Sequence, residues 1–239
     1  MSKIVLSSME AVSDIPSGAS ILIGGFGICG MAHNLCKAMS LRRDVGDFHL
    51  VSNAGGMNGW GVGMMIENRQ VRSIIASRVG PACKAYEEQA LKGEIEVELS
   101  PQGTFTERIR AGGAGIGGFF TPTGAGTVVA EGKETRIVDG QEYIFEEPIR
   151  ADYAFIKAWK GDERGNLIYR MSAQNFNPVM ATAAEVTIAE VEEIVPVGEI
   201  SPEKVHTPGI FVQRVVLGED IEKPIEIMTT RPRKNSGVS

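Results

Sequence analysis

Cysteine is scarce in this sequence, with three residues in 239: Cys29, Cys36 and Cys83. Three thiols are too few for a disulfide framework, and their spacing is not that of zinc ligands. Cys29 and Cys36 are seven positions apart, a separation that can place both on one helix face as small apolar side chains. We therefore predict buried, reduced thiols in a cytoplasmic protein.

Long hydrophobic runs and an excess of basic residues are also missing. The longest apolar run near the N-terminus, Ile21-Leu-Ile23, is far too short for a signal sequence or a membrane span. The formal net charge is -6, which argues against nucleic-acid binding because phosphate recognition needs a basic surface. The three histidines lack the spacing of metal ligands, so no metal is predicted. We expect a cytoplasmic protein that binds neither nucleic acid nor membranes.

Glycine, by contrast, is abundant, with 29 residues in 239, about 12% against a usual ~7%. The glycines cluster in four segments, residues 24–30, 55–63, 112–118 and 124–126. Glycine between a strand and a helix permits a sharp turn or the close approach of a ligand to the backbone. Several such loops favour one large site to which more than one of them contributes.

Short apolar runs alternate with helical segments through the first hundred residues. The strand-like runs are 20–24, 49–52 and 71–77, and the helical segments are 34–40 and 83–92. This alternation predicts an α/β fold with an open, mostly parallel sheet and helices on both faces. Glutamates alternate with apolar residues in 94–99, which predicts a strand near an edge of the sheet.

The second half of the chain adds a different signal. Asp139-Gly140 separates two strand-like runs, 135–138 and 141–146, and favours a two-residue hairpin turn. We therefore predict a small β-hairpin excursion near 126–147, followed by a return to strands. Since no internal repeat or linker divides the chain, we predict a single domain over 1–239 with a disordered tail at about 230–239.

Two helix starts are predicted from capping patterns. Thr104 and Glu107 have the spacing of a capping box, with Thr104 as N-cap of a helix over 105–111. Asn177-Pro178 has the pattern of an N-cap followed by proline at the first helical position, which predicts a short helix through Ala184.

Residues 25–30 match the pattern G-x-G-x-x-G between a predicted strand and helix, which is the setting of a dinucleotide site. Such a site places a pyrophosphate at the helix N-terminus and an acidic residue at the end of the second strand. Here that strand ends at Asn53, and Asp44 and Asp47 precede it. A dinucleotide-binding oxidoreductase therefore remains only an alternative.

The same loop resembles a known signature when its neighbours are included. Residues 17–32, Ser-Gly-Ala-Ser-Ile-Leu-Ile-Gly-Gly-Phe-Gly-Ile-Cys-Gly-Met-Ala, are similar to the coenzyme A transferase signature, with departures at Ser17 and Ala32. Further segments resemble the A (alpha) subunit of family I coenzyme A transferases in the expected order: 51–55, 97–104, 107–115, 120–127, 131–135, 158–162, 165–170, 175–177 and 207–212. The nearest patterns are those of 3-oxoacid and 3-oxoadipate coenzyme A transferases.

The resemblance implies a reaction and a set of site residues. It implies reversible transfer of coenzyme A from an acyl-CoA, typically succinyl-CoA, to a short carboxylic acid such as a 3-oxoacid. The implied coenzyme A-associated loop consists of Gly24, Gly25, Phe26, Gly27, Ile28, Cys29 and Gly30. Gln102 resembles the glutamine that faces the reacting carbonyl, where a side-chain N–H can stabilise an oxyanion. Asn53 resembles a substrate-binding asparagine.

Each of these assignments has an alternative. The loop glycines can serve tight packing alone, and Gln102 can simply cap a turn. Relatives usually have a second asparagine where Ala54 stands and an arginine where Gln174 stands. The missing positive charge at Gln174 alters either acid recognition or a packing or subunit contact. His33 either lines the site or is a solvated residue at the helix start.

The resemblance also implies an obligatory partner. The family's nucleophilic glutamate lies in a Ser-Glu-Asn-Gly segment of the B (beta) subunit, and this sequence contains no such segment. Glu131, Glu146 and Glu190 lie in other contexts. We therefore expect activity only with a B subunit, in an A2B2 heterotetramer, with coenzyme A as substrate and no permanent cofactor. A non-catalytic regulatory chain of the same fold is a further alternative.

Overall fold

The computed structural model describes residues 2–80, 82–219, 221 and 223–224. The predicted tail at about 230–239 lies outside the described residues. Twelve β-strands run through the described part of the chain: β1 Ile4–Val5, β2 Ser20–Ile23, β3 Phe48–Ser52, β4 Val71–Ala76, β5 Glu96–Leu99, β6 Phe119–Thr121, β7 Thr135–Val138, β8 Gln141–Glu146, β9 Ala151–Asp162, β10 Leu167–Ile168, β11 Ala184–Val195 and β12 Arg214–Leu217.

Six α-helices accompany these strands in the same residues. They are α1 Ser8–Ala11, α2 His33–Leu41, α3 Val62–Glu67, α4 Lys84–Leu91, α5 Gln102–Ala114 and α6 Asn177–Ala181. The predicted helices at 34–40 and 83–92 are confirmed as α2 and α4. The predicted start of α5 at Thr104 is wrong, because the Phe105 N–H already bonds the Pro101 carbonyl at 2.7 Å. Helical hydrogen bonding therefore begins at Pro101, and Gln102 lies in the first turn.

The main sheet has the order β1-β12-β11-β9-β2-β3-β4-β5, and every neighbouring pair in this order is parallel. The short strand β10 pairs antiparallel with β9. The glutamate-rich strand β5 lies at one end of the order, so its predicted edge position is confirmed. The chain builds outward from β2 to β5 and then resumes on the other side of β2 with β9. A crevice between strands is expected at this change of direction.

Helices cover both faces of the sheet. Successive strand residues point to opposite faces, and β2 shows the division. Ile21 and Ile23 pack in a cluster with Leu35 of α2. Leu22 packs in a second cluster with Phe105 of α5. The predicted architecture, an open parallel sheet with helices on both faces, is confirmed.

The predicted excursion is a three-stranded antiparallel sheet in the order β6-β8-β7. The Asp139-Gly140 turn joins β7 to β8 with the predicted strand bounds. The excursion begins earlier than the predicted position 126, because β6 pairs with β8 and the Phe120 ring packs edge-on against Phe145. Buried Glu146 ties this sheet to α5 through Arg108 at 3.7 Å, and it also pairs with Lys133 of the excursion itself at 2.7 Å. Across the described residues, no helix has the length and apolar character needed to traverse a bilayer.

Candidate functional site

The predicted site residues follow neighbouring strands at one edge of the sheet. The glycine loop, residues 24–30, follows β2, and Asn53 follows β3. Ser77 follows β4, and Gln102 comes three residues after β5. Because the carboxyl ends of parallel strands share an edge, these segments form one rim of the sheet. The structure therefore gathers residues that are separated by up to 78 positions in the sequence.

The glycine loop closes on itself in a tight turn. The Phe26 N–H donates to the Cys29 carbonyl at 3.0 Å, and the Cys29 N–H donates to the Phe26 carbonyl at 3.1 Å. Gly27 and Ile28 form the tip, with Gly27 at φ 59°. At the base of the loop, the Gly24 N–H donates to the Phe155 carbonyl of β9 at 2.9 Å. The loop thus begins as an extension of the sheet and ends in a compact hairpin-like turn.

Two asparagines from the segment before and at the start of α6 support this loop. Asn175 accepts from the Gly25 N–H through Oδ1 at 3.1 Å and donates to the Cys29 carbonyl through Nδ2 at 2.9 Å. Asn177 donates from Nδ2 to the Gly30 carbonyl at 2.9 Å. The prediction of Asn177 as a helix N-cap is wrong, because its carboxamide is committed to the glycine loop and to the Lys157 N–H. The helix also ends at Ala181, short of the predicted Ala184, because Ala184 is the first residue of β11.

Two of the glycines are required by this contact. A Cβ at Gly24 would overlap the Asn177 carboxamide oxygen. A Cβ at Gly30 would lie 2.5 Å from the Ala173 carbonyl oxygen, and Gly30 has a φ of 71°. The packing interpretation therefore holds for these two positions. The backbone N–H groups of Gly27, Ile28 and Gly30 have no hydrogen-bond acceptor among the described residues; Gly30 is half-buried, whereas Gly27 and Ile28 are buried.

The helix that follows the glycine loop is already capped by a carboxylate of the same chain. Fully buried Glu190 accepts from the backbone N–H groups of Asn34 at 2.8 Å and Leu35 at 3.3 Å. It also accepts from Asn34 Nδ2 at 3.1 Å and pairs with Lys157 Nζ at 3.3 Å. A pyrophosphate at this helix N-terminus would meet a buried negative charge. The dinucleotide alternative is therefore not supported, and anion donors have to come from the loop rather than from the helix start.

Asn53 and Gln102 are in direct contact. Gln102 Nε2 donates to Asn53 Oδ1 at 2.8 Å. Ser77 Oγ donates to the same oxygen at 2.8 Å. Asn53 is 1% exposed, whereas Gln102 is exposed in this chain. The Gln102 carboxamide thus bonds the side chain that follows β3 rather than a group of its own turn.

A cavity of about 440 Å³ lies beside the glycine loop, between it and the end of β9. Its wall includes Ile28 and Cys29 of the loop, the amphipathic stem of Lys157, and the half-buried ring of Trp159. The Arg170 guanidinium lies 5.5 Å from the centroid of that ring. The cavity therefore combines apolar surface with charged side chains of both signs, because Glu192 lines it as well as Lys157 and Arg170.

One of the three cysteines differs from its predicted buried placement. Cys36 and Cys83 are buried, and burial raises the pKa of both thiols. Cys29 is exposed, since it lies in the loop before α2 rather than on the face of that helix. Its Sγ is 3.7 Å from Ser172 Oγ. The seven-residue spacing failed as a signal because the helix begins only at His33.

His33 is held in place rather than solvated. Its ring stacks on Trp60, with centroids 4.5 Å apart and planes inclined by 11°. Its Nδ1 accepts from the Gly61 N–H at 3.1 Å, which joins the start of α2 to the loop before α3. The described residues contain no cluster of three or more histidine, cysteine, aspartate or glutamate side chains arranged for a metal ion.

The four departures from the family pattern lie in different environments. Ala54 is buried beside Asn53, and Ala32 is buried immediately before α2. Ser17 accepts through Oγ from the Gly46 N–H at 3.1 Å, remote from the rim. Gln174 is exposed next to the two asparagines that support the glycine loop.

Comparison with known proteins identifies the family. The profile described as "Coenzyme A transferase" matches residues 5–218. A Bacillus subtilis protein, named as the probable A chain of succinyl-CoA:3-ketoacid coenzyme A transferase, is 50% identical, and the alignment covers 99% of both chains. The corresponding A chain of the Helicobacter pylori J99 succinyl-CoA:3-ketoacid coenzyme A transferase is 48% identical, with 98% of this chain and 100% of that protein covered.

Solved structures share the fold. The acyl-CoA transferase of E. coli O157:H7, determined as a thioester complex with CoA, superimposes with a TM-score of 0.82 at 22% identity. That comparison covers 92% of this chain but 48% of the other, so this chain spans about half of that protein. Glutaconate coenzyme A-transferase from Acidaminococcus fermentans has a TM-score of 0.79 at 20% identity, covering 90% of this chain and 75% of the other. On the profile match and the full-length identities, the chain belongs to the coenzyme A transferase family.

Proposed function

We propose that this chain is the A (alpha) subunit of a coenzyme A transferase that moves coenzyme A reversibly between succinyl-CoA and a short carboxylic acid of the 3-oxoacid class. The names of relatives about 50% identical over nearly the whole chain support this substrate class. The observation that carries the proposal is the Gln102–Asn53 hydrogen bond at the rim. It brings the glutamine and the asparagine of the family pattern to one place.

The proposed chemistry is covalent catalysis by a carboxylate. The carboxylate attacks the thioester carbonyl, an oxyanion forms, and the departing CoA thiolate leaves a mixed anhydride. The thiolate then attacks the enzyme's own carbonyl carbon in that anhydride. This releases the first acid and leaves an enzyme-bound CoA thioester, and the acceptor acid runs the same steps in reverse. Each addition step develops negative charge on an oxygen, which a fixed N–H donor stabilises.

This chain supplies donors in the proposed site, and a B subunit supplies the nucleophile. Glu190 is buried under four donors, and Glu146 is buried against Lys133 and Arg108. Neither carboxylate is placed to attack a substrate. Gln102 Nε2 has a second hydrogen beyond the one given to Asn53, and we assign that hydrogen to the oxyanion. The free N–H groups at the tip and end of the glycine loop complete the donor set.

The proposed assembly is an A2B2 heterotetramer in the cytoplasm, with coenzyme A as substrate rather than resident cofactor. The test is co-expression with a B-type chain, followed by an assay of succinyl-CoA against a panel of carboxylic acids including 3-oxoacids. We expect exchange by the complex and none by this chain alone. Full exchange by the isolated chain would refute the assignment of the nucleophile to a B subunit. A stable complex that transfers to no acid would favour the non-catalytic alternative.

A further inference from the structure

Ser77, the first residue after β4, contacts one residue of the rim, Asn53, through both its backbone N–H and its hydroxyl group. Its backbone N–H donates to the Asn53 carbonyl at 3.2 Å. Its hydroxyl lies 3.0 Å from the same carbonyl oxygen and 2.8 Å from Asn53 Oδ1. The resemblance to the family singles out Asn53 and Gln102 but assigns nothing to Ser77. Both the main chain and the side chain of Asn53 are thereby tied to the end of the neighbouring strand.

The carboxamide of Asn53 is used on one side only. Its Oδ1 accepts from both Ser77 Oγ and Gln102 Nε2. Its Nδ2 is buried and has no hydrogen-bond partner in the described part of the chain. Half a turn of the carboxamide would set Nδ2 against Gln102 Nε2, donor against donor. A buried donor without an acceptor is costly, and an oxygen of a bound molecule, such as a substrate or a water, would remove that cost.

We propose that Ser77 is a positioning residue for coenzyme A transfer, holding Asn53 so that Nδ2 donates to an oxygen of the acid substrate. The proposal rests on the proposed function. Ser77 acts through Asn53 and does not itself touch the substrate. The competing explanation is that Ser77 only ties the ends of β3 and β4 together, as a strand-end serine elsewhere in the sheet would do.

A matched control for that explanation exists on β4 itself. Ser73 Oγ lies 2.7 Å from His49 Nδ1. It links β4 to β3 through a side-chain bond as Ser77 does, but away from the rim. Ser73→Ala therefore measures the loss of a strand-to-strand hydroxyl bond without disturbing Asn53.

The experiment uses the complex with the B subunit. It measures kcat and KM for the acid and for succinyl-CoA separately. We expect Ser77→Ala to lower kcat/KM for the acid about 10- to 100-fold, the usual loss when a partner that orients a site residue is removed. KM for succinyl-CoA and the thermal midpoint should stay near those of Ser73→Ala. Ser77→Thr, which keeps the hydroxyl, should recover most of the loss.

The decisive measurement is a double-mutant cycle with Asn53→Ala. If Ser77 acts through Asn53, Ser77→Ala produces little further loss in the Asn53→Ala background. Additive losses, or a Ser77→Ala complex as active as Ser73→Ala, overturn the proposal. Should Ser77→Ala fail to fold, Ser77→Cys, with similar volume and a weak donor, enters the same cycle under the same criteria. A wild-type complex inactive with every acid would instead count against the proposed function.

Discussion

The carboxylate of Glu190 on β11 caps the helix that begins at His33, accepting from the Asn34 backbone N–H at 2.8 Å. The same carboxylate pairs with buried Lys157 on β9. One side chain therefore satisfies the start of α2 and neutralises a buried cation behind the glycine loop. The arrangement stabilises the start of the helix that follows the glycine loop. Because Glu190 occupies the N–H groups at this helix start, a bound anion would need donors from elsewhere in the rim.

Replacing Glu190 should be strongly destabilising. Glu190→Gln keeps the size of the side chain but leaves Lys157 buried without its counter-charge, which typically costs about 3–5 kcal/mol. Glu193→Gln on the same strand is the control, because Glu193 pairs with Lys160 while 48% exposed, and such pairs contribute about 0–1 kcal/mol. Urea unfolding of each variant gives its loss in the free energy of unfolding relative to the wild type. Equal losses would contradict a structural role for the buried pair.

Gln102→Ala should reduce turnover far more than it weakens acyl-CoA binding. Removing one oxyanion donor commonly lowers kcat by about 10²–10³-fold. Gln102→Glu has nearly the same shape but cannot donate from the lost N–H, and it should lose a comparable factor. Steady-state kinetics of the complex with the B subunit separate kcat from KM. If Gln102→Ala instead raised KM for succinyl-CoA and left kcat nearly unchanged, the result would argue against the oxyanion role.

Gly30→Ala should distort the glycine loop. The new methyl group meets the Ala173 carbonyl oxygen, and alanine is strained at φ 71°. Gly59→Ala is the matched control, because Gly59 has a similar φ of 66° but nothing within 4 Å of the added Cβ. We expect about 1–2 kcal/mol from φ strain at both positions and a further ~1–3 kcal/mol from crowding at Gly30 alone. Chemical denaturation measures the free energy of unfolding of each variant. Equal destabilisation by Gly30→Ala and Gly59→Ala would show that the loop adjusts to the added methyl group without cost.

Asp152 should contribute stability that depends on pH. Hydrogen bonds from the Ser20 hydroxyl at 2.7 Å and the Ser20 backbone N–H at 2.8 Å lower the pKa of Asp152 below its ordinary value of 3.8. Because the pKa of Asp152 is lower in the folded state than in the unfolded state, its contribution to folding stability is fully present above pH 3.8. That contribution disappears as the pH falls through the pKa of the folded state. The stability gap between wild type and Asp152→Asn should therefore narrow in acid. A gap that stays constant from pH 7 to pH 3 would contradict this assignment.

Thiol labelling should distinguish the three cysteines. Cys29 is exposed, whereas Cys36 and Cys83 are buried. In the folded isolated chain, one thiol should react rapidly with an alkylating reagent, and Cys29→Ser should abolish that fast phase. All three thiols should react after denaturation. A fast phase that survives in Cys29→Ser would show that a buried cysteine is more accessible than the structure indicates.

The sequence predicted those features that local patterns determine. Alternating apolar runs predicted the parallel strands, and Asp139-Gly140 predicted the hairpin with its strand bounds. The family pattern named Gln102 and Asn53, but no local signal predicted that they bond each other or that Ser77 joins them. Roles that depend on distant contacts were misassigned, because a capping pattern cannot reveal that Asn177 bonds Gly30, 147 residues earlier in the chain. A local pattern likewise predicted the start of α5 too late.

The support of the glycine loop by Asn175 and Asn177 has a consequence for biosynthesis. The loop leaves the ribosome before its supporting carboxamides and its neighbouring strand β9, which are made roughly 125 to 150 residues later. We therefore expect the nascent chain to carry an unformed loop until Asn175 and Asn177 have been translated. A truncated chain ending before Asn175 should leave residues 24–30 open to protease, and equal protection in that truncation would show that the loop folds without them.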